Sequence, residues 1–423
     1  MRLPKNKNMR RILAAQLPAD FADWLDYVAV ITLFTYVWQV DTIYFAWFAV
    51  SFSLPYILVG PLAGALVDRS DLKSVLVLSN LGRALSTFSL IFASQPEIML
   101  ALIALRSSID SFFSPAKQVA IQALVERDEL MATNSVSHVI NQASKVAGPA
   151  VGGALLIWVS PQAVFGVNGA VSLLAMAIFM TLPRKIEAKQ TEDHDAQQEA
   201  GGKASMLNDI LSGFAIVFST PALWTTIMLG AMGFFAIFLH DTLIGPVTRE
   251  LGFDATILGI SVAAVGGGGI LGAVTLGSLK RHIHPFLLIG PSMIIVSAMT
   301  MLLGSVAIYG WSIHPYIFVA AFFLVGFVGT GTFVPLRTVL QLETPSGKMG
   351  RVTAVNESLS LIAMISAPFI GATLASIYHI GVPFVFGGTI TLVLGIVALI
   401  LIKFVPFTSP EDAPDLPKTA ETV

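Results

Sequence analysis

The chain has 423 residues, of which 55% are hydrophobic and only 12% charged, with 24 Lys and Arg against 26 Asp and Glu and no cysteine; its mean hydropathy is +0.79. A soluble globular domain carries about 25% charged residues, so this composition excludes one and indicates an integral membrane protein. The formal net charge of −2 supplies no basic surface for nucleic acid, and the lack of cysteine excludes disulfides and thiol chemistry.

A hydrocarbon core about 30 Å thick takes roughly 20 apolar residues per helical crossing. Apolar runs of that length predict twelve spans, at 11–38, 42–67, 72–94, 98–123, 131–158, 162–183, 221–244, 256–279, 285–308, 314–338, 351–376 and 382–404. Strands of period two are not apparent, so the expected class is all-α integral membrane rather than a β-barrel. Arg10 and Arg11 run into an apolar stretch too long for a cleaved signal peptide. Basic residues fall before span one, between spans two and three, and after spans four, six, eight, ten and twelve, whereas the other side carries only Arg249. Both termini are therefore expected on the cytoplasmic side.

In chain order, span one carries Asp23 and Asp26, three residues apart and so on one helix face. Span four carries Arg106 and Asp110, four apart, and span five carries Lys145 one turn before "VAGPAVGGALL" at 146–156. Proline removes a backbone donor and glycine is a poor helix former, so this stretch predicts a kinked helix packed closely on a small-residue neighbour. Span eight, with "VGGGGILGAVTLG", is the expected partner. The longest polar interruption follows span six, and the organisation reads as a first six-helix half at 1–183, a linker at 184–206, a second half at 207–404 and a tail at 405–423. Residues 207–220 have apolar positions at helical spacing and are expected to lie along the membrane surface. "SPAK" at 114–117 echoes "VPLR" at 334–337, and "GPAVGGA" at 148–154 echoes "APFIGAT" at 367–373. Offsets near about 215 residues predict two parallel six-helix halves around a midplane cavity.

These motifs resemble the major facilitator superfamily over essentially the whole chain. "GALVDRSDLK" is similar to that family's loop signature between spans two and three through Gly64, Asp68, Arg69 and, displaced by one, Lys73. The resemblance implies a conformational latch there, with Gly64 allowing two helices to approach. "LRSSID" resembles the family's fourth-span R-x-x-x-G pattern at Arg106, with Asp110 in the glycine position. Gly148, Pro149, Gly152 and Gly153 resemble the fifth-span signature of antiporters, with Ser144 replacing its first glycine. The stretches "QLPADFADWLDYVA", "SPAKQVAIQALVERDELMATNS" and "PSGKMGRVTAVNES" resemble the drug and macrolide efflux branch, and the first two also resemble lysophospholipid transporters.

A charge inside a span costs several kcal/mol if it faces lipid, so Asp23, Asp26, Asp110, Arg106 and Lys145 are expected to form one polar cluster facing the cavity. Asp23 is the first candidate proton carrier, since the resemblance places the efflux branch's first-span acid there; Asp26 and Asp110 follow. Arg106 is expected to tune Asp110. The structural alternative is fixed pairs, Asp110 with Arg106 and Asp23 with Lys145. Glu357, about two turns into span eleven, is a further candidate protonation site. Lys117 and Arg337 read as repeat-related residues at headgroup or gating positions, His240 and Asp241 as ordinary interface residues, and His138 as a local hydrogen-bonding group. Phe234, Phe235, Phe238 and Trp224 are candidates for an apolar pocket.

No nucleotide-binding loop, zinc-protease or serine-hydrolase motif is present, so no enzyme, cofactor or metal is expected. The expected function is a proton-coupled antiporter exporting small amphipathic or apolar compounds by alternating access, acting as a monomer in the bacterial cytoplasmic membrane. Its partners are then a small-molecule substrate, protons and membrane lipids. The alternatives are a lysophospholipid or siderophore transporter of the same fold and a non-transporting membrane receptor.

Overall fold

The computed structural model describes residues 6–67, 70–125, 127–183, 214–278, 284–344 and 349–404. Its first half comprises α1 (Lys7–Leu25), α2 (Tyr27–Thr32) running into a π-turn (Leu33–Val37), α3 (Thr42–Val67), α4 (Leu72–Leu90), α5 (Pro96–Asp110), α6 (Phe113–Leu124), α7 (Arg127–Leu155) and α8 (Pro161–Met180). The second half comprises α9 (Pro221–Phe238), a 3-10 turn (Asp241–Leu243), α10 (Ile244–Glu250), α11 (Ala255–Ser278), α12 (Pro285–Tyr309), α13 (Pro315–Glu343), α14 (Met349–Ile377) and α15 (Val382–Leu401). All twelve expected spans are thus occupied by helix, and spans one, four and seven are each broken near their middle or outer part.

Helix starts follow local chemistry. Asn6 and Asp71 accept from the free N–H groups of α1 and α4, and Pro96, Pro161, Pro221, Pro285 and Pro315 open their helices, where the missing donor costs nothing. Gly310 ends α12 with φ of 64°, a left-handed cap that suits glycine.

Among the described residues, nine helical stretches are long and apolar enough to cross a membrane. The three expected spans outside that set are the first, third and fifth, the ones interrupted by Asp20, Asp23, Asp26, Arg83 and Lys145. Their reduced hydropathy is offset by protein neighbours, because α1 packs on α7 and α8, and α4 on α8 and α5.

Among the described residues, the apolar contacts between the two halves gather toward one end. A shared apolar cluster joins Leu25, Ile31, Phe34 and Phe48 of the first half to Leu243, Val247, Leu258 and Phe384 of the second. Those residues lie toward the ends of spans one and seven and the starts of spans two, eight and twelve, away from the described N-terminal end. Near that N-terminal end the clusters are each confined to one half. The molecule is therefore sealed toward the far end, here called outer, and among the described residues no buried apolar cluster joins the halves at the end bearing the N terminus.

Polar contacts complete the seal. Arg249 Nη1 donates to the Thr35 carbonyl at 2.8 Å, Tyr36 Oη donates to the carbonyls of Phe253 and Asp254 at 3.0 and 3.2 Å, and Thr42 Oγ1 donates to that of Ala372 at 3.2 Å. Trp47 meets Phe369 edge-on, with ring centroids 5.2 Å apart.

Asp68, Arg69, the expected linker at 184–206, the start of the expected surface helix at 207–213 and the tail at 405–423 lie outside the described residues, as does the side chain of His138. The remainder of the surface helix, 214–219, is helical, and Val217 is buried with Leu223, Ile227 and Val352 of the second half.

Candidate functional site

The α1 backbone sets the geometry of the site. At its end the Asp26 N–H turns to the Trp24 carbonyl instead of continuing the regular ladder, and α2 starts again at Tyr27. That interruption releases the Ala22 carbonyl, which accepts from Arg106 Nη2 at 2.8 Å, while Arg106 Nη1 pairs with Asp26 Oδ2 at 2.6 Å.

One turn earlier Arg83 of α4, with no solvent exposure, repeats the arrangement. Its Nη2 donates to the Ala19 carbonyl at 2.7 Å and to Asp23 Oδ1, and its Nη1 lies 3.0 Å from Asp110 Oδ1. Tyr56 of α3 donates to Asp110 Oδ2. A further turn along α1, Asp20 Oδ2 accepts from Gln16 Nε2 at 2.7 Å and from Asn141 Nδ2 at 3.3 Å, with Lys117 Nζ at 3.8 Å. Phe113 lies beneath both Arg83 and Lys117, at 5.6 and 5.5 Å from its centroid.

Among the described residues, Asp20, Asp23, Asp26 and Asp110 are thus ion-paired with Arg83, Arg106 and Lys117, four carboxylates for three cations. The side chains of Asp20, Asp26 and Asp110 are 3, 4 and 8% exposed, and that of Asp23 is 16% exposed. Asp23 is the carboxylate of the network with most access to water.

Several expectations need correction. Arg106 does not pair with Asp110: it turns to Asp26 and the freed Ala22 carbonyl, because Arg83 already occupies the space between Asp23 and Asp110. Lys145 makes no ion pair with Asp23: its side chain is exposed on α7, and its electrostatic neighbours are Glu357 and Arg337 of the other half together with Asp20 and Asp23 of the cluster. Glu357 is likewise exposed on α14. Lys117 does not reach toward headgroups but is buried against Asp20 and Phe113. Asp241 is no ordinary interface residue, for its Oδ2 accepts from Tyr27 Oη at 2.5 Å across the two halves, while the His240 ring stacks on Phe384.

Arg83, Asp20 and Tyr56 escaped the reading of the sequence. The first two were visible there as charges within spans three and one; Tyr56 carries no such signal.

On α7, Gly148 and Gly152 face the break of α1: a Cβ at Gly148 would sit 2.6 Å from that of Trp24, and one at Gly152 would overlap the Leu25 carbonyl oxygen. Gly153 faces Gly259 of α11, where a Cβ on either would collide with the other's carbonyl oxygen. The stretch therefore packs on span one as well as on the expected span eight. Pro149 lies within the continuous helix α7. Gly64, expected to admit a second helix, has no described atom within 4 Å of the position a Cβ would take. Lys73 Nζ caps the end of α8, donating to the carbonyls of Met180 and Leu182 at 2.7 and 2.6 Å. Phe234 contacts Phe238 and Phe333, with centroids 6.0 and 5.4 Å apart, whereas Trp224 packs on Phe218 at 4.4 Å.

Comparison with known proteins accords with this architecture. The chain is 29% identical over 401 residues to the uncharacterized MFS-type transporter YfiS of Bacillus subtilis (strain 168), covering 93% of each chain. It is 24% identical over 358 residues to the enterobactin exporter EntS of Citrobacter koseri, covering 83% of this chain and 82% of that one. Among solved structures, the nucleoside transporter NupG superposes with a TM-score of 0.65 at 14% identity, covering 94% of this chain and 99% of the other. The profile of the Major Facilitator Superfamily matches residues 12–368, and the chain belongs to that superfamily as a multi-pass membrane transporter, not an enzyme.

Proposed function

We propose that this transporter exports a small amphipathic or apolar compound in exchange for protons, by alternating access, with Asp23 as the carboxylate that takes up and releases the proton. The observation that carries the reading is that, among the described residues, three buried carboxylates and the partly exposed Asp23 are ion-paired with only three cations. Desolvation disfavours the surplus negative charge while the arginines favour it, so a modest change in water access shifts the balance. A proton on Asp23 weakens its hold on Arg83, which also grips the Ala19 carbonyl and Asp110. Protonation is in this way transmitted to α1 and α5. Asp26 and Asp110 share the network, and Lys145 and Glu357 are exposed electrostatic neighbours from opposite halves.

Export rather than uptake is supported by the likeness to the enterobactin exporter and by the glycine face of α7, whose contacts with α1 and α11 hold the outer end shut. The likeness also favours a siderophore among the candidate cargoes. The protein is taken to work as a monomer in the cytoplasmic membrane, with the open end of the described state facing the cytoplasm.

The test is substrate-induced proton movement in proteoliposomes, comparing the wild-type chain with Asp23→Asn across lipophilic cations, macrolides, siderophores and lysolipids. Protons that move with one class and stop in the variant support the reading. Substrate flux that survives both a collapsed gradient and the substitution removes Asp23 from the mechanism.

A further inference from the structure

The outer seal contains a titratable contact outside the charge network. Tyr27 begins α2 at the break of span one, and Asp241 begins the 3-10 turn at the break of span seven. The two breaks meet, and Tyr27 Oη donates to Asp241 Oδ2 at 2.5 Å. Every other polar contact described above for the seal ends on a backbone carbonyl. This one joins two side chains, and one of them changes charge with a proton.

Among the described residues, the surroundings of Asp241 offer no counter-charge. Its turn packs against α3, α9, α10 and α14. Helices α3 and α9 contain no Asp, Glu, Lys or Arg. On α10, Arg249 is committed to the Thr35 carbonyl and Glu250 lies 3.9 Å from His379. On α14, Arg351 and Glu357 sit toward the other end, more than two turns from the Gly371 that presses on Leu239. From span one, Tyr27 faces Asp241 directly, while the neighbouring Asp26 is engaged by Arg106. Its own neighbour His240 stacks on Phe384. Among the described residues, no cation lies within ion-pairing distance of Asp241.

We propose that Asp241 is a second proton site, and that with Tyr27 it forms a proton-sensitive latch on the outer seal. A neutral carboxyl accepts the Tyr27 hydroxyl within the closed seal at little cost. An ionised one lacks a counter-charge there and is better accommodated when the halves part and water reaches it. The closed state therefore binds this proton more tightly than the open one, and linkage makes rising pH favour opening, by at most about tenfold in the open-to-closed ratio per pH unit for one site. The proposal rests on the proton-coupled reading above and adds to it a site in the second half.

The absence of cysteine gives a clean test. Spin labels at Ser94→Cys and Ser312→Cys, exposed positions between spans three and four and between spans nine and ten, report the outer opening by pulsed electron resonance on the full chain in nanodiscs. The wild-type distance distribution is expected to shift to longer values between pH 6 and 8. Asp241→Asn retains an acceptor for Tyr27 but cannot ionise, and should remain closed with the shift lost. Tyr27→Phe should open the seal at both pH values. A wild-type response in a normally folded Asp241→Asn protein overturns the latch. If that response persists while Asp23→Asn abolishes it, the proton-coupled reading stands without the latch. No shift in the wild-type chain overturns both.

Discussion

Removing the Arg83 side chain should be the most damaging single change in the first half. Its guanidinium is fully buried and holds Asp23, Asp110 and the Ala19 carbonyl together. Arg83→Met leaves a side chain of comparable reach over Phe113 but strands two carboxylates. Charge-assisted hydrogen bonds contribute about 1.5–3 kcal/mol each, and breaking a buried ion pair by deleting one partner costs about 3–5 kcal/mol. A loss of about 3–5 kcal/mol is therefore expected, reduced where Asp23 or Asp110 takes up a proton. Arg83→Lys keeps the charge but cannot span three acceptors, so roughly half that loss is expected. Unfolding of the purified protein followed by tryptophan fluorescence measures both. The double variant Arg83→Met with Asp110→Asn should recover part of the loss by removing one stranded charge. An unchanged unfolding midpoint for Arg83→Met, or no recovery in the double variant, would refute the claim that the network is held by this arginine.

Three further outcomes follow from the same geometry. Gly153→Ala puts a Cβ about 2.5 Å from the Gly259 carbonyl oxygen, so α7 and α11 must separate and the Ser94/Ser312 label pair should show a more open outer end; Gly230→Ala, with nothing within 4 Å, should leave the distribution unchanged. Lys117→Met removes the ionic partner of the buried Asp20 and should cost about 1–3 kcal/mol of stability, read from the unfolding midpoint. Lys145→Met, at an exposed position, should alter the unfolding midpoint by less than about 0.5 kcal/mol while changing the substrate preference of transport.

The fold was legible because a membrane span advertises itself by length and hydropathy alone, and each of the twelve expected runs is helical. Which charge meets which was not. Spacing placed Arg106 and Asp110 on one face of α5, yet the closest partners come from other helices, Asp26 from α1 and Arg83 from α4. Helical spacing reports neighbours on one surface, whereas pairing in a bundle depends on how far a long side chain reaches across to the next helix. Arg83 illustrates the point: "SNLGRALS" marks a charge in mid-span, but only packing shows it to be the hub. Tyr27 and Asp241, 214 positions apart, meet through the assembly of two halves, which no local pattern encodes. The glycine stretch of α7 was partly legible: close packing was implied by the residues themselves, and the contact with the break of α1 was not.

The placement of that break connects the two sites. Asp23, Asp26 and Tyr27 fall within little more than one helical turn, about 6 Å of rise. Arg83 and Arg106 fasten the carbonyls of Ala19 and Ala22 on one side of it, and Tyr27 fastens the outer seal on the other. The backbone between them lacks a regular ladder bond at Asp26, so its position is set by these side-chain contacts more than by the helix's own ladder. A change of charge at Asp23 that relaxes Arg83 therefore acts on the same short segment that carries the seal's tyrosine. The glycines Gly148 and Gly152 of α7 lie directly against this segment at Trp24 and Leu25, so the α7 face limits where it can move. On the proposed reading, proton binding in the first half and closure between the halves are coupled through the segment from Asp23 to Tyr27, and a regular helix at Asp26 would separate them.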